Sequence, residues 1–251
     1  MLLWGRPGPH ICLGQSQNPA LELAPRIDVP VVRRPLGGGA VWVDEQQCSY
    51  VLIMPLGLAP RRPADWSAWA LRPAVGTFRQ FGLQTVVRDG DLWLHNRKIA
   101  GSGAATIGRC AVFASSFLLR FPREAFARCI AGSAGFRAWL LDGLASTVTD
   151  WQTHAPVPPL TQLRDTYAAA AGDAFGWELR RSALTAEEIT AVAGAQQDML
   201  EDDDSGGGSR ARAGGIKLNA ESWLAEGMQD GLAVRELVVR GRLARREVVT
   251  A

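Results

Sequence analysis

Short apolar runs separated by glycine and proline turns dominate the first half of the chain, and helix-spaced apolar positions dominate much of the second. Residues 11–14 read as a short strand closing in a glycine turn, followed by a polar loop over 15–19. Residues 30–34, 40–43 and 49–54 read as strands, being rich in β-branched and aromatic side chains. Residues 63–81 predict one helix, because Trp66, Trp69 and Leu71 recur near one face behind Asp65. Residues 84–88 and 92–95 predict a hairpin about Asp89-Gly90, a dipeptide that tolerates positive φ. A turn at Asn96-Arg97 then delivers Lys98 to the start of a further strand. Beyond it the pattern predicts a strand over 111–121, a helix over 123–130, a late strand over 144–149, and helices over 160–171 and 185–200. Thr185, Glu187 and Glu188 suit the last helix's N-terminus, where oxygens and negative charge meet free N–H groups; capping accounts for the two glutamates better than a catalytic carboxylate pair does.

The domain boundary is set by composition. An acidic, glycine-rich linker spans 201–215, dividing a main domain (1–200) from a β segment (216–251) with strands expected over 216–224 and 232–240 about Asp230-Gly231. A piece of that size buries too little apolar area to stand alone, so it must dock on the main domain or pair with another chain.

Composition excludes more than it identifies. The net charge of +2 gives no indication of a nucleic-acid partner, and the arginines are dispersed. No apolar run is long enough to span a membrane, and the apolar start is too short for a secretory signal, so the expected location is cytoplasmic. Cys12, Cys48, Cys110 and Cys129 contain no CxxC and read as reduced thiols; His10, His95 and His154 are far apart in sequence, so no zinc or other metal site is indicated.

The basic residues are informative in another way: of 27, only Lys98 and Lys217 are lysine. Lysine is a compact point charge, arginine a planar fork. Lys98 is either a solvated turn residue or a cation for a phosphate or a developing oxyanion. Upstream, Arg33-Arg34-Pro35-Leu36-Gly37-Gly38-Gly39-Ala40-Val41 puts two guanidinium groups beside a triple glycine. That run serves either a tight turn or a close backbone approach to a ligand, with successive N–H groups forming an anion nest. It is not a Walker A loop, and strand signals rather than a helix follow it, so neither common nucleotide-binding motif fits. With Lys98 and the second glycine loop, Gly101-Ser102-Gly103, these groups suit a mixed acyl–phosphate intermediate. A preorganised cation at such a centre is worth about 10²–10³ in rate.

Three motifs then carry a family resemblance. Residues 33–41 resemble the RRxSGGGAV motif of lipoate–protein ligases, residues 97–102 (Arg97-Lys98-Ile99-Ala100-Gly101-Ser102) resemble their RK(I/V)(A/S)GS motif, and residues 14–19 are similar to the GRxQNP segment preceding both. Order and spacing also fit, and the similarity extends over about residues 4–200. The resemblance implies an α+β fold built on a mixed β-sheet of the biotin/lipoyl ligase (class II synthetase-like) type. It implies activation of lipoate with ATP and Mg2+ to lipoyl-AMP, then transfer to a lysine of a lipoyl carrier domain protein. Lys98 would contact the acyl carbonyl and the phosphate. Gly37, Gly38, Gly39, Ala40 and Val41 would line the acyl-adenylate, with Gly101 and Ser102 on its other side. Arg33 or Arg34 would bind near the phosphate or fix the loop. Apolar residues would wall a tunnel for the acyl chain; Trp42 fits either that wall or plain core.

The sequence departs from the family at several points. Leu36 replaces the motif serine. Val43-Asp44-Glu45-Gln46-Gln47 stands where HDxGN is expected, and Ala114-Ser115-Ser116-Phe117-Leu118-Leu119 where HHGxLL is expected, so the motif histidines are gone. Relatives are expected to carry an earlier strand and helix ahead of Trp4. The C-terminal segment resembles only the first part of the ligases' accessory domain, which a separate accessory chain could complete. Two alternatives therefore stand beside the ligase: an octanoyl- or lipoyltransferase working through a thioester on Cys110 or Cys129, and a non-catalytic paralogue that binds the carrier or the acyl chain. Biotin ligation is disfavoured, because those enzymes carry a different glycine–arginine loop.

Overall fold

The computed structural model describes residues 1–201, 215–219 and 221–249. A four-stranded antiparallel sheet is ordered β1 (Leu2–Gly5), β5 (Gln47–Pro55), β10 (Cys110–Leu118), β9 (Ser102–Ile107). Alternation along β5 buries Cys48, Tyr50, Leu52 and Met54 on one face. That face packs against α2 (Trp66–Ala70), α3 (Arg72–Gln80) and α6 (Leu160–Phe175) through Trp66, Phe78, Tyr167 and Leu163, with Phe117 at the centre of the aromatic cluster. A small mixed sheet sets β2 (His10–Leu13) between β3 (Val31–Arg33), parallel to it, and β4 (Val41–Val43), antiparallel. A third sheet is the meander β6 (Val86–Arg88), β7 (Asp91–Leu94), β8 (Arg97–Ala100). The architecture is α+β, as expected.

Several elements differ from the sequence reading. The expected helix over 63–81 is a 3-10 turn (Pro63–Asp65) followed by α2 and α3, which meet at Leu71; Pro73 has no N–H to continue the first ladder. The expected strand over 144–149 is the end of α5 (Ala134–Thr147), where Ser133 caps the helix by accepting from the Phe136 N–H. Phe136, Trp139, Leu140 and Leu144 recur at helical spacing and all are buried, so tertiary packing overrides the β-branched tail. Only Val148 keeps extended character, bridging Lys98 of β8, and the Thr149 N–H donates to the Lys98 carbonyl at 2.8 Å. The turn before Lys98 is made by His95 and Asn96, both at positive φ, one residue earlier than expected. β1, β9 and a short α1 (Pro19–Glu22) were not expected. Helices α4 (Arg123–Cys129) and α7 (Ala186–Glu201) fall where expected. Thr185 and Glu188 form a reciprocal capping box, Thr185 N–H to Glu188 Oε2 at 2.8 Å and Glu188 N–H to Thr185 Oγ1 at 3.2 Å. Of the expected linker, residues 202–214 lie outside the described residues; Glu201 ends α7 and Gly215 begins a strand.

The C-terminal segment forms an antiparallel sheet of β11 (Gly215–Lys217), β12 (Ser222–Gln229), β13 (Leu232–Val239) and β14 (Arg242–Val249). The expected strand over 216–224 is thus split between two paired strands, β11 and β12, and β14 is additional. The sheet docks on the main domain. Ile216, Leu218 and Leu224 are buried with Trp139, Leu140 and Leu144 of α5 in a core shared with Ile11, Leu13 and Trp42. Each such side chain contributes about 2 kcal/mol of burial. At the N-terminus of α5 the Ser133 hydroxyl donates to Glu226 Oε2 at 2.9 Å, and Arg235 Nε lies 2.7 Å from the same oxygen.

Burial pushes the Glu226 carboxyl up, but Arg235 and Ser133 push it further down, and the net value is below the ordinary one. A depressed folded value means that the unfolded chain takes up this proton first. Glu226 therefore stabilises the protein above the ordinary glutamate range (about 4.3) and loses that contribution as pH falls through its folded value. Urea midpoints are expected to fall between about pH 6 and about pH 3, and to fall less steeply in Glu226→Gln. Equal slopes in the two proteins would remove Glu226 from this account.

Candidate functional site

The triple-glycine turn is held from beneath by the two arginines that precede it. β3 lies parallel to β2, with Leu13 beside Arg33. From there Arg33 Nη1 reaches the carbonyls of Gly14 (3.2 Å), Gln15 (3.2 Å) and Gln17 (2.7 Å). Arg34 donates from Nη1 to the Cys12 carbonyl (2.9 Å) and from Nη2 to the Gly37 (3.0 Å) and Gly39 (2.8 Å) carbonyls. Both guanidinium groups thus fix loops. In a planar trans peptide the N–H points away from its carbonyl. With the Gly37 and Gly39 carbonyls aimed at Arg34, the Gly38 and Ala40 N–H groups face the other way, the geometry an anion nest requires.

A second layer locks this loop. The Gln15 N–H donates to the Leu36 carbonyl at 3.0 Å and the Gly14 N–H to Gln17 Oε1 at 2.8 Å; Gln17 in turn donates to the Glu22 carboxyl. Burial pushes the Glu22 carboxyl up. Gly38 sits at φ +107, which favours glycine.

Lys98 enters from the meander. A β-bulge in β8 sets Lys98 opposite Trp93 and Ala100 opposite Leu92, and re-aims the lysine. Its Nζ lies 3.0 Å from Asp91 Oδ1; the side chains are 22% and 8% exposed. A Cβ on Gly101 would stand 2.9 Å from that Nζ, so the glycine makes room for the ammonium. The Ser115 hydroxyl donates to the Gly101 carbonyl at 2.8 Å and the Ser102 hydroxyl to the Gly90 carbonyl at 2.5 Å. The two glycine loops meet at Gly103, where a Cβ would stand 3.4 Å from Leu36 Cβ and 3.7 Å from the Gly37 carbonyl oxygen.

The structure therefore brings Gly37, Gly38, Gly39, Lys98, Gly101 and Ser102 into one continuous set of contacts. Ala40 is buried beside them and Val41 is exposed on β4. Trp42 is buried, donates through Nε1 to Asp44 Oδ2 at 2.7 Å, and borders a cavity of about 690 Å³ whose other walls include Ile27, Val29 and Cys129. None of Lys98, Gly37, Gly38, Gly39 or Gly101 lines that cavity.

The departures from the motifs find structural uses. Leu36, in the serine position, is buried against Gly103. Ser115, in a histidine position, fastens the lysine loop, and Ser116 donates to Gln47 Oε1 at 3.1 Å.

Three participants escaped the sequence reading. Asp91 sits two residues past the Asp89 signal, and its pairing with Lys98 depends on the bulge. Lys217 reaches Gly39 from the C-terminal sheet. Cys12 shares a strand face with His10, and Arg34 Nη1 lies 3.6 Å from its sulfur; burial pushes the thiol up, but His10 and Arg34 bring it below its ordinary value. Alternation along β2 could have found the His10–Cys12 pair. Cys129 is pushed up by burial. Cys110 begins β10 opposite Pro55, about 17 Å along the strand from Ser115 and the lysine loop. His95 and His154 do converge, with ring centroids 5.2 Å apart. Among the described residues no group of three or more His, Cys, Asp or Glu could hold a metal ion. Among the same residues no helix is long and apolar enough to cross a membrane.

A family model described as the lipoyl protein ligase A/B catalytic domain matches residues 1–170. No curated protein matches the sequence. Among solved structures, a bi-partite lipoate protein ligase from Thermoplasma acidophilum, studied with its E2 lipoyl domain, is similar with a TM-score of 0.72 at 15% identity over 84% of each chain. A lipoate–protein ligase A bound with ATP is similar with a TM-score of 0.63 at 15% identity over 81% of each chain. The LipL1 protein of P. falciparum in complex with lipoate is similar with a TM-score of 0.61 at 12% identity, over 98% of this chain and 71% of the other. At these identities the likeness is one of fold.

Proposed function

The chain belongs to the lipoyl protein ligase A/B catalytic domain family, and from that premise we propose that it activates lipoate with ATP and transfers the lipoyl group to a lysine of a lipoyl carrier domain protein. The observation that carries this reading is the meeting of the two glycine loops at Gly103, with the Lys98 ammonium packed against one of them and both neighbouring arginines spent on holding the other.

In the activation step the lipoate carboxylate attacks the α-phosphorus of ATP, the P–O bond to the β-phosphate breaks, and pyrophosphate leaves. The Gly38 and Ala40 N–H groups and Lys98 receive the charge on the phosphate oxygens. In the transfer step the carrier lysine, as a neutral amine, attacks the carbonyl carbon; the C–O bond to AMP breaks, AMP leaves as its phosphate anion, and the amine proton goes to solvent. Lys98 then faces charge on the carbonyl oxygen and on the departing phosphate, both larger in the transition state than in the ground state. Magnesium would travel on the ATP phosphates, a mode this ion favours over an all-protein cage. A separate accessory chain, if used, would join at the open edge of β14. The setting this chemistry suits is the cytoplasm.

Incubation with ATP, magnesium, lipoate and an apo carrier domain is expected to add one lipoyl mass to the carrier, read by intact mass, and to add none without ATP. Transfer from an acylated donor protein without ATP, with no gain from free lipoate and ATP, would replace the ligase reading with the thioester transferase, for which Cys12, lowered despite burial by His10 and Arg34, is better activated than Cys129, raised by burial.

A further inference from the structure

We propose that Lys217, brought in by the C-terminal sheet, is a second substrate-binding cation of this site and binds the phosphate side of ATP and of the acyl-adenylate beside the triple glycine. The inference rests on the ligase reading and goes beyond it, because it makes the appended sheet part of the site.

Strand alternation sets the direction of the side chain. Ile216 and Leu218 are 1% and 6% exposed, in the core against α5, so Lys217 between them faces away from that core. It faces the glycine loop: a Cβ on Gly39 would stand 3.4 Å from Lys217 Cβ and 3.8 Å from its carbonyl oxygen. Residue 39 thus lies in van der Waals range of β11. The approach is tighter on the other side, where a Cβ on Gly143 would stand 3.1 Å from Leu218 Cδ1.

The sheet is fastened to the other half of the site as well. Glu221 Oε1 lies 3.4 Å from Arg88 Nε, and Arg88 pairs in register with Asp91, the partner of Lys98. Lys217 and Glu221 therefore link the glycine loop to the lysine hairpin. Leu218 N–H donates to the Ser222 carbonyl at 2.9 Å and Glu221 N–H to Asn219 Oδ1 at 2.9 Å.

Charge bookkeeping then singles out Lys217. Of the cations around the two loops, Arg33 and Arg34 are hydrogen-bonded to backbone carbonyls and Lys98 is paired with Asp91. Among the described residues the Lys217 ammonium has neither an ion pair nor a hydrogen bond, so a phosphate would meet a cation that has no other partner to give up. The two lysines of an otherwise arginine-only set both come to these two glycine loops. A compact point charge is what a crowded phosphate site takes most easily.

Having only two lysines makes the test direct. The full chain is treated with an amine-acetylating reagent, with and without saturating ATP and magnesium, and acetylation at Lys98 and Lys217 is followed by peptide mass. ATP is expected to slow acetylation of both several-fold. Protection of Lys98 without Lys217 overturns this inference and leaves the ligase reading standing; protection of neither removes both. Lys217→Ala is expected to weaken ATP binding and raise the KM for ATP about tenfold or more with an unchanged unfolding midpoint, and Lys217→Arg to recover most of the loss. A fall in midpoint with ATP affinity intact would assign Lys217 to sheet docking alone.

Discussion

Lys98→Ala is expected to lower ATP-dependent carrier lipoylation by about 10²–10³-fold or more. The group removed is a cation in contact with Gly101, and Gly101 belongs to the loop that meets the triple glycine at Gly103. The variant also leaves Asp91, 8% exposed, without its ammonium partner. Losing that partner at such depth costs about 1–3 kcal/mol, so some loss of stability is expected alongside the loss of rate. The double variant Lys98→Ala/Asp91→Asn separates the two effects: it is expected to recover most of the urea midpoint and none of the rate. Lys98→Arg keeps the charge, but its fork is larger than the space left by Gly101, where Nζ already stands 2.9 Å from the place of a Cβ. It is therefore expected to rescue activity poorly. Full activity in Lys98→Ala, in an assay where the wild type depends on ATP, would leave the lysine as a structural partner of Asp91 and remove it from the chemistry.

How much of this was legible in the sequence follows from the range of the interactions. The hairpin about Asp89-Gly90, the capping box at Thr185 and Glu188, and the nearness of Lys98 to a strand start depend on φ preferences and contacts within a few residues, and they read correctly. The two arginines were read as phosphate-facing or loop-fixing. The choice depends on carbonyls as far as 22 residues away, at Cys12 for Arg34. Helix α5 was missed because Gly132, Gly135 and Gly143 interrupt its pattern and Ser146, Thr147 and Val148 end it with strand-like chemistry. Its stability comes from tertiary packing, in a core shared with Ile11, Leu13, Trp42 and Phe126 and with the C-terminal sheet, where Leu218 lies against Gly143. The same sheet brings Lys217 to Gly39, a juxtaposition of residues 178 apart that no local pattern carries. The lost histidines were visible as losses; the hydrogen bond from Ser115 to Gly101 that occupies one of their positions was not.

Gly14→Ala is expected to be the most damaging glycine-to-alanine change among the described residues. The added carbon would stand 2.2 Å from the Gly38 carbonyl oxygen, 3.1 Å from its carbon and 3.3 Å from its nitrogen. All three are backbone atoms, and neither side can yield freely. Arg34 holds the carbonyls on either side of Gly38, and Arg33 holds the Gly14 carbonyl itself. Relief requires moving the triple-glycine loop off β2, at a cost of about 1–3 kcal/mol in stability. A shift of about 1 Å at a reacting centre costs on the order of 10²-fold in rate. Gly37→Ala is the informative contrast. Nothing lies within 4 Å of its added carbon and its φ is not positive, so its urea midpoint is expected to match the wild type. If Gly37 lies against the acyl-adenylate, as the family resemblance implies, the same variant loses ATP-dependent lipoylation while keeping its fold. Gly14→Ala would then fail through the loop's position and Gly37→Ala through its contact with the ligand. Should Gly37→Ala retain both stability and activity, the adenylate does not press on that face of the loop, and the Gly38 and Ala40 N–H groups alone would have to hold its phosphate.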